Sequence, residues 1–234
     1  MTIVLSALKI IFLLGFLIFI HEGGHLIVAK LCKVKVNEFS IGFGPKIISK
    51  QGKETIYSLR AIPLGGFCNM EGETEKSEHQ GSFSKASIPR RIAIVAAGAL
   101  VNIIFGILIY LILFGPTETL KFIIALGESI KMLFTGKVGV DGMVGPVGIS
   151  QIVSQTSGFK EYIYIMSVIS VSLGITNLLP IPALDGGKIV LLIIEAIRKK
   201  PLNEKTEVNI ELMGFSFLIA LSIFVTYNDI LRII

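Results

Sequence analysis

The chain has 234 residues, 52% of them hydrophobic and 17% charged, with a formal net charge of +5 and a mean hydropathy of +0.77. These values exclude a disordered chain, which needs low hydrophobicity and high net charge. They also argue against an ordinary soluble globule, in which about 25% of residues are charged. No nucleic-acid partner is expected, because the cations stand beside apolar runs, as they do at the ends of membrane spans.

The first apolar run, Ile3–Ile20, is broken only by Ser6 and Lys9, and its helical pattern continues through His21 to about Leu31. This predicts a first span over 3–31, with Lys9 snorkelling toward the N-terminal interface. The run is too long for a signal-peptide core and no small-residue cleavage site follows, so no removed leader is expected. Segment 34–70 has a different texture. Val34–Phe39 and Thr55–Arg60 alternate apolar with polar residues, and Gly42-Phe43-Gly44-Pro45 and Pro63-Leu64-Gly65-Gly66-Phe67 carry turn chemistry. Two or three short strands in a small membrane-associated sheet follow from that pattern. Glu71–Ser82 is acidic and polar and reads as a flexible loop.

Arg90-Arg91 opens a second span over 92–114. Segment 119–134 then places Phe122, Leu126, Ile130 and Leu133 on one side, the pattern of an interfacial amphipathic helix. A third span over 163–182 ends in the Pro180-Ile181-Pro182 break. Ile189–Ile197 is too short to cross, and Arg198-Lys199-Lys200-Pro201 supplies a helix stop. A fourth span covers 210–226. The fold class is an α-helical polytopic membrane protein of one domain, 1–234, with about four transmembrane helices and a small β-sheet on the cytosolic side. Segments 30–91 and 188–205 hold 16 of the 22 Lys and Arg, so the positive-inside rule puts both in the cytosol and both termini outside. Cys32 and Cys68 form no framework and read as reduced structural thiols.

His21-Glu22-Gly23-Gly24-His25 is an HExxH sequence at the end of the first span. Residues four apart share a helix face, so His21 and His25 can hold Zn²⁺ together. Glu22, beside the first ligand, is placed to take a proton from an attacking water and pass it to the leaving amine. Ionisable groups at membrane depth are costly and generally functional. The glycines at 23 and 24 permit close backbone approach. Two histidines leave the metal short of a third protein ligand. His79 is one candidate. Asp185 is the better one, in Asn177-Leu178-Leu179-Pro180-Ile181-Pro182-Ala183-Leu184-Asp185-Gly186-Gly187, where the proline break opens the helix toward a cavity. Alone, Asp185 would read as a helix cap; paired with HExxH, ligation is the stronger reading.

At these residues the chain resembles the site-2 protease family of intramembrane zinc metalloproteases, and more narrowly its bacterial sigma-E-regulating branch. FSIGFGPKI, IPLGGF, GPVGIS, EAIRKKP and YNDILR extend the resemblance over nearly the whole chain. It implies His21, His25 and Asp185 as zinc ligands, Glu22 as general base, and Asn177 as an aid to substrate handling. A second family asparagine is here Ser172. The branch ordinarily carries one or two PDZ domains between its second and third spans. Here Phe114-Gly115-Pro116 runs almost directly into LFTGKVGVDGMVGPVGIS, leaving no room for a domain of ordinary size, so a compact form without a PDZ domain is expected.

The resemblance implies hydrolysis of single-pass membrane proteins, such as anti-sigma factors or signal-peptide remnants, in a bacterial inner membrane. The site would lie near the cytosolic leaflet. The strand edge at Leu64, Gly65, Gly66 and Phe67 is a candidate for capturing an unwound substrate by β-addition. The Leu120–Phe134 helix and a Gly145–Ser150 loop are candidates for size exclusion. Two other readings compete: a non-enzymatic transporter or scaffold with a structural metal, and a metalloprotease in which Glu195 is the third ligand.

Overall fold

The computed structural model describes residues 2–73, 77–136 and 144–233. The elements in chain order are α1 (Thr2–Leu31), β1 (Val36–Gln51), β2 (Ile56–Met70), a short 3-10 turn (Phe83–Lys85), α2 (Ile88–Phe134), α3 (Pro146–Gln155), α4 (Phe159–Asn177), α5 (Asp185–Arg198) and α6 (Glu204–Ile233). Among the described residues, three helices are long and apolar enough to cross a membrane: Val4–Leu31, Ile88–Met132 and Glu204–Arg232. The third predicted span coincides largely with α4, a 19-residue helix that is not among these three and packs against α2.

Small residues set the helix spacing there. A side chain at Gly106 would meet the Ser167 carbonyl and Val171 of α4, and one at Gly174 would meet the Ala99 carbonyl and Ile103 of α2. Close backbone approach at small residues is a general way for helices to associate in lipid, where no hydrophobic gain drives them together. The Ser170 hydroxyl donates to the Asn102 carbonyl at 2.8 Å across the same contact. Leu13, Leu17, Val153 and Met166 form a buried cluster among α1, α3 and α4. Lys9, rather than only reaching for an interface, donates to the Thr156 carbonyl at 2.8 Å and so ties α1 to the end of α3.

Segments 92–114 and 119–134 are two helical arms, together labelled α2, that meet at a kink. At Gly115, φ is 79° and ψ 176°, a conformation that glycine alone adopts readily, and Pro116 follows. The rings of Tyr110 and Phe122 stack with centroids 4.2 Å apart. Twelve residues of straight helix would separate them by about 18 Å, so the bend is sharp. Gly145–Ser150 is not a loop. Gly145 caps α3, Pro146 occupies its first turn, and the buried Asp229 of α6 accepts from the amides of Gly145 and Gly148 at 3.2 and 2.8 Å. That carboxylate satisfies donors that a helix N-terminus leaves open. Residues 137–143 of the stretch before α3 lie outside the described residues, as do 74–76 of the acidic segment.

The sheet is built from two long, bent antiparallel strands. Ser40 pairs with both Phe67 and Ser58, so the first half of β1 has neighbours on both sides. Gly42, Gly44 and Gly65 have positive φ and allow the strands to turn. A buried cluster of Ala29, Val36, Phe39, Met70, Ile94 and Leu192, among others, seats the sheet against α1, α2 and α5. Cys32 and Cys68 are both free, and burial pushes the Cys68 thiol up to about 12.

Candidate metal centre

His21 and His25 lie on the face of α1 that meets α2. Gly24 makes the approach possible, since a side chain there would stand 2.7 Å from the Ala97 carbonyl; Gly23 has no such neighbour. Gly98 of α2 faces the imidazoles, and a side chain at that position would collide with His25 Nε2 and His21 Cε1. The helix pair is therefore glycine-cut on both sides to make room for two rings.

Asp185 reaches the same point from the other end of the chain. After Asn177 the chain turns through 178–184 with Ala183 at φ 73°, a left-handed conformation that costs a residue with a side chain free energy. Gly186 and Gly187 tuck beneath that turn against the carbonyls of Leu178, Leu179 and Ile181. Asp185 opens α5, but the cap position is Leu184 and no side chain caps the helix. The cap role is not taken up. Asp185 Oδ2 instead stands 3.3 Å from His21 Nε2 and 3.6 Å from His25 Nε2, and the two Nε2 atoms are 3.2 Å apart.

Three observations fit this triangle to a metal ion. A tetrahedral ion with ligand bonds of about 2.0–2.1 Å has ligand–ligand edges of roughly 3.3 Å. His25 Nδ1 lies 2.8 Å from the Ile94 carbonyl oxygen, and a carbonyl can only accept, so the neutral ring carries its proton there and presents a lone pair at Nε2. Asp185 Oδ2 is buried without a hydrogen-bond partner among the described residues. The His25 lone pair and an unpartnered carboxylate oxygen thus converge beside His21 Nε2, an arrangement that a cation resolves. His21, His25 and Asp185 form a group that can hold a metal.

His79 and Glu195 are not part of it. His79 accepts from the Gly81 amide at 3.0 Å in a separate cavity. Glu195 is held by both terminal nitrogens of Arg91, at 3.0 and 2.5 Å, which pins α5 to the start of α2. Glu22 and Asn177 line the cavity that contains the triangle, together with Gly66 and Phe67 of β2. The Glu22 side chain lies against Gly66, whose hypothetical Cβ would be 3.2 Å from Glu22 Cγ, and the Cys68 amide faces its carboxylate. Leu64 and Gly65 belong to the same strand, with Gly65 at its bend. Ser172 is exposed on α4. One neighbour of the site carries no motif of its own. Asn102, fully buried on α2, places its amide 3.5 Å from His21 Nδ1. Its Gly98-x-x-x-Asn102 spacing puts it one helical turn beyond the glycine that faces the rings.

Fold and site together point to a class: a metallopeptidase whose candidate metal-holding residues lie partly on a helix long and apolar enough to cross a membrane. Residues 9–221 match Peptidase family M50, and the chain belongs to that family. Its relatives include a Clostridium acetobutylicum protein provisionally named a zinc metalloprotease, 28% identical over 92% of this chain and 94% of its own length. Zinc metalloprotease RasP of Bacillus licheniformis is 23% identical, covering 97% of this chain and 99% of that protein. The regulator of sigma-W protease RasP of Bacillus subtilis is likewise 23% identical over 97% of this chain. The protein is thus a zinc metalloprotease and not a transporter or scaffold. The alignments run over 320 and 415 residues against a chain of 234, so these relatives carry internal segments that the compact chain lacks.

Proposed function

We propose that the protein hydrolyses peptide bonds in or beside the transmembrane segments of single-pass membrane proteins. His21, His25 and Asp185 hold the zinc and Glu22 moves the proton. The observation that carries this reading is the convergence of His21 Nε2, His25 Nε2 and the orphaned Asp185 Oδ2 in one cavity with Glu22. Zinc, when bound, polarises a scissile carbonyl and lowers the pKa of an attacking water. Glu22 takes the proton from that water and delivers it to the leaving amine. Gly66 stands against the Glu22 side chain, and Cys68 lines the same cavity.

A helical substrate hides its carbonyls in hydrogen bonds and must unwind before cleavage. The strand segment Leu64–Phe67 receives it as an added strand, with Asn177 beside the extended backbone. By the cation distribution the site faces the cytosolic leaflet of a bacterial inner membrane and both termini face outward. Anti-sigma factors and signal-peptide remnants are the substrate class in view, and the name of the Bacillus subtilis relative, a regulator of sigma-W protease, supports it.

The test is cleavage of a model single-span substrate by wild type and Glu22→Gln, with zinc content measured on both. Cleavage should fall at least about 100-fold with zinc unchanged. Equal cleavage by the two proteins would reject the mechanism.

A further inference from the structure

Beyond the metal centre, a second cavity of about 900 Å³ opens between the end of α1 and the β1–β2 hairpin tip, lined by Lys30, Lys33, Lys35, Lys53, Thr55 and Tyr57. Four lysines line one space, with Glu54 as the only carboxylate on its lining among the described residues. Two of them are held by neighbours. Lys30 donates to the Tyr57 hydroxyl at 2.8 Å and stands 5.4 Å from that ring's centroid, while Lys35 lies 4.0 Å from Glu71. The hairpin tip is closed by the Gly52 amide donating to the Thr55 carbonyl at 2.9 Å, and its Lys53 shares the cavity with Lys30, Lys33 and Lys35. Like charges gathered around a cavity create a positive potential that an anion relieves.

A second observation points to a ligand. Thr55 is only 2% exposed, lines this cavity, and its hydroxyl has no partner among the described residues. A hydroxyl is both donor and acceptor, and buried polar groups are normally paired. An oxyanion among the lysines would supply the missing acceptor.

The position selects the source. Lys30 is nine residues beyond His21, about 13 Å along α1, where the apolar part of the helix ends. Ile27 and Leu31 on α1 are 59% and 75% exposed, and Ile47 and Ile48 on the hairpin are 64% and 62% exposed. The lysines therefore stand at the border of an apolar surface, the level of lipid headgroups. We propose that this cavity binds the phosphate group of an anionic phospholipid headgroup.

Native mass spectrometry of the full chain in detergent, titrated with phosphatidylglycerol or phosphatidylcholine, tests it. Phosphatidylglycerol should be retained in preference. The paired exposed-lysine variant Lys33→Gln/Lys53→Gln should weaken its retention about tenfold, since basic residues at the headgroup level each add to anionic-lipid attraction. Thr55→Val, which keeps the volume and removes the donor, should weaken retention without lowering the unfolding temperature. Equal retention of both lipids, or undiminished retention of phosphatidylglycerol by the lysine variant, would overturn the proposal. A third arm adds millimolar inorganic phosphate: displacement of the lipid would assign the cavity to a soluble anion and reject the lipid as its ligand.

Discussion

His25 Nδ1 and the Ile94 carbonyl oxygen are 2.8 Å apart, and this one bond decides which nitrogen of the ring is left for a metal. It carries the tautomer choice on the backbone of α2, where no side-chain substitution can remove it. The triangle is completed by the side chains of His21 and Asp185.

Asp185→Asn keeps the size of the third ligand and removes its charge. Zinc affinity should fall by more than the roughly 10–100-fold typical of residues that merely support ligands, read as metal content after dialysis. Full retention of zinc would remove Asp185 from the ligand set.

Asn102 should act as a positioning residue. Its Oδ1 is buried without a partner among the described residues while its Nδ2 faces His21 Nδ1. The two ends of an amide have the same shape, and turning this one lets Oδ1 accept from the His21 Nδ1–H. Asn102→Leu should cost about 10–100-fold in zinc affinity, and Asn102→Asp, which restores an acceptor, should recover much of it. Equal losses in both variants would mean that Asn102 only fills space.

Strand capture predicts how the enzyme treats extended peptides. A peptide of suitable sequence should inhibit cleavage, and the same peptide N-methylated at alternate residues should lose about tenfold in potency with the loss of one or two backbone hydrogen bonds. If the two inhibit alike, the strand edge at Leu64–Phe67 is not the docking element.

The sheet carries a pH-dependent contribution to stability. Partial desolvation raises the Glu38 carboxyl, but hydrogen bonds from Ser58, Arg60 and Lys46 outweigh it and hold the group down at about 2. Ser58 donates at 2.6 Å, Arg60 at 2.8 Å and Lys46 at 3.1 Å. Because the folded value lies below the ordinary 4.5, the contribution is complete above that pH and is lost as pH falls toward about 2. Glu38→Gln should be less stable than wild type by about 1 kcal/mol at neutral pH. Thermal unfolding across a pH series should show the gap closing toward about pH 2; a gap that stays constant would show that charge is not its source.

The parts of the site with a local signature are legible in the amino-acid sequence. HExxH declares itself because i and i+4 share a face, and the proline break before Asp185 marks a helix opened to a cavity. Asn102 and Gly98 are not legible there. They sit in a long apolar run that Asn102 alone interrupts, and nothing local says which side of α2 will meet the histidines. The bend at Gly115 is half visible, as a Gly-Pro pair that ends one predicted segment. That the second arm folds back on the first depends on the contact between Tyr110 and Phe122, which no local pattern carries. Gly145–Ser150 reads as a loop because its helix is stabilised by Asp229, far away in the chain.

Asp185 is supplied late in the chain, while the histidine pair lies in its first helix. During synthesis at the membrane, α1 and the sheet are made long before the carboxylate that completes the triangle. An unfinished chain therefore has the two imidazoles but lacks the carboxylate of the proposed ligand set. On the proposed ligand set, the order of synthesis would leave a partly built chain without its full metal site.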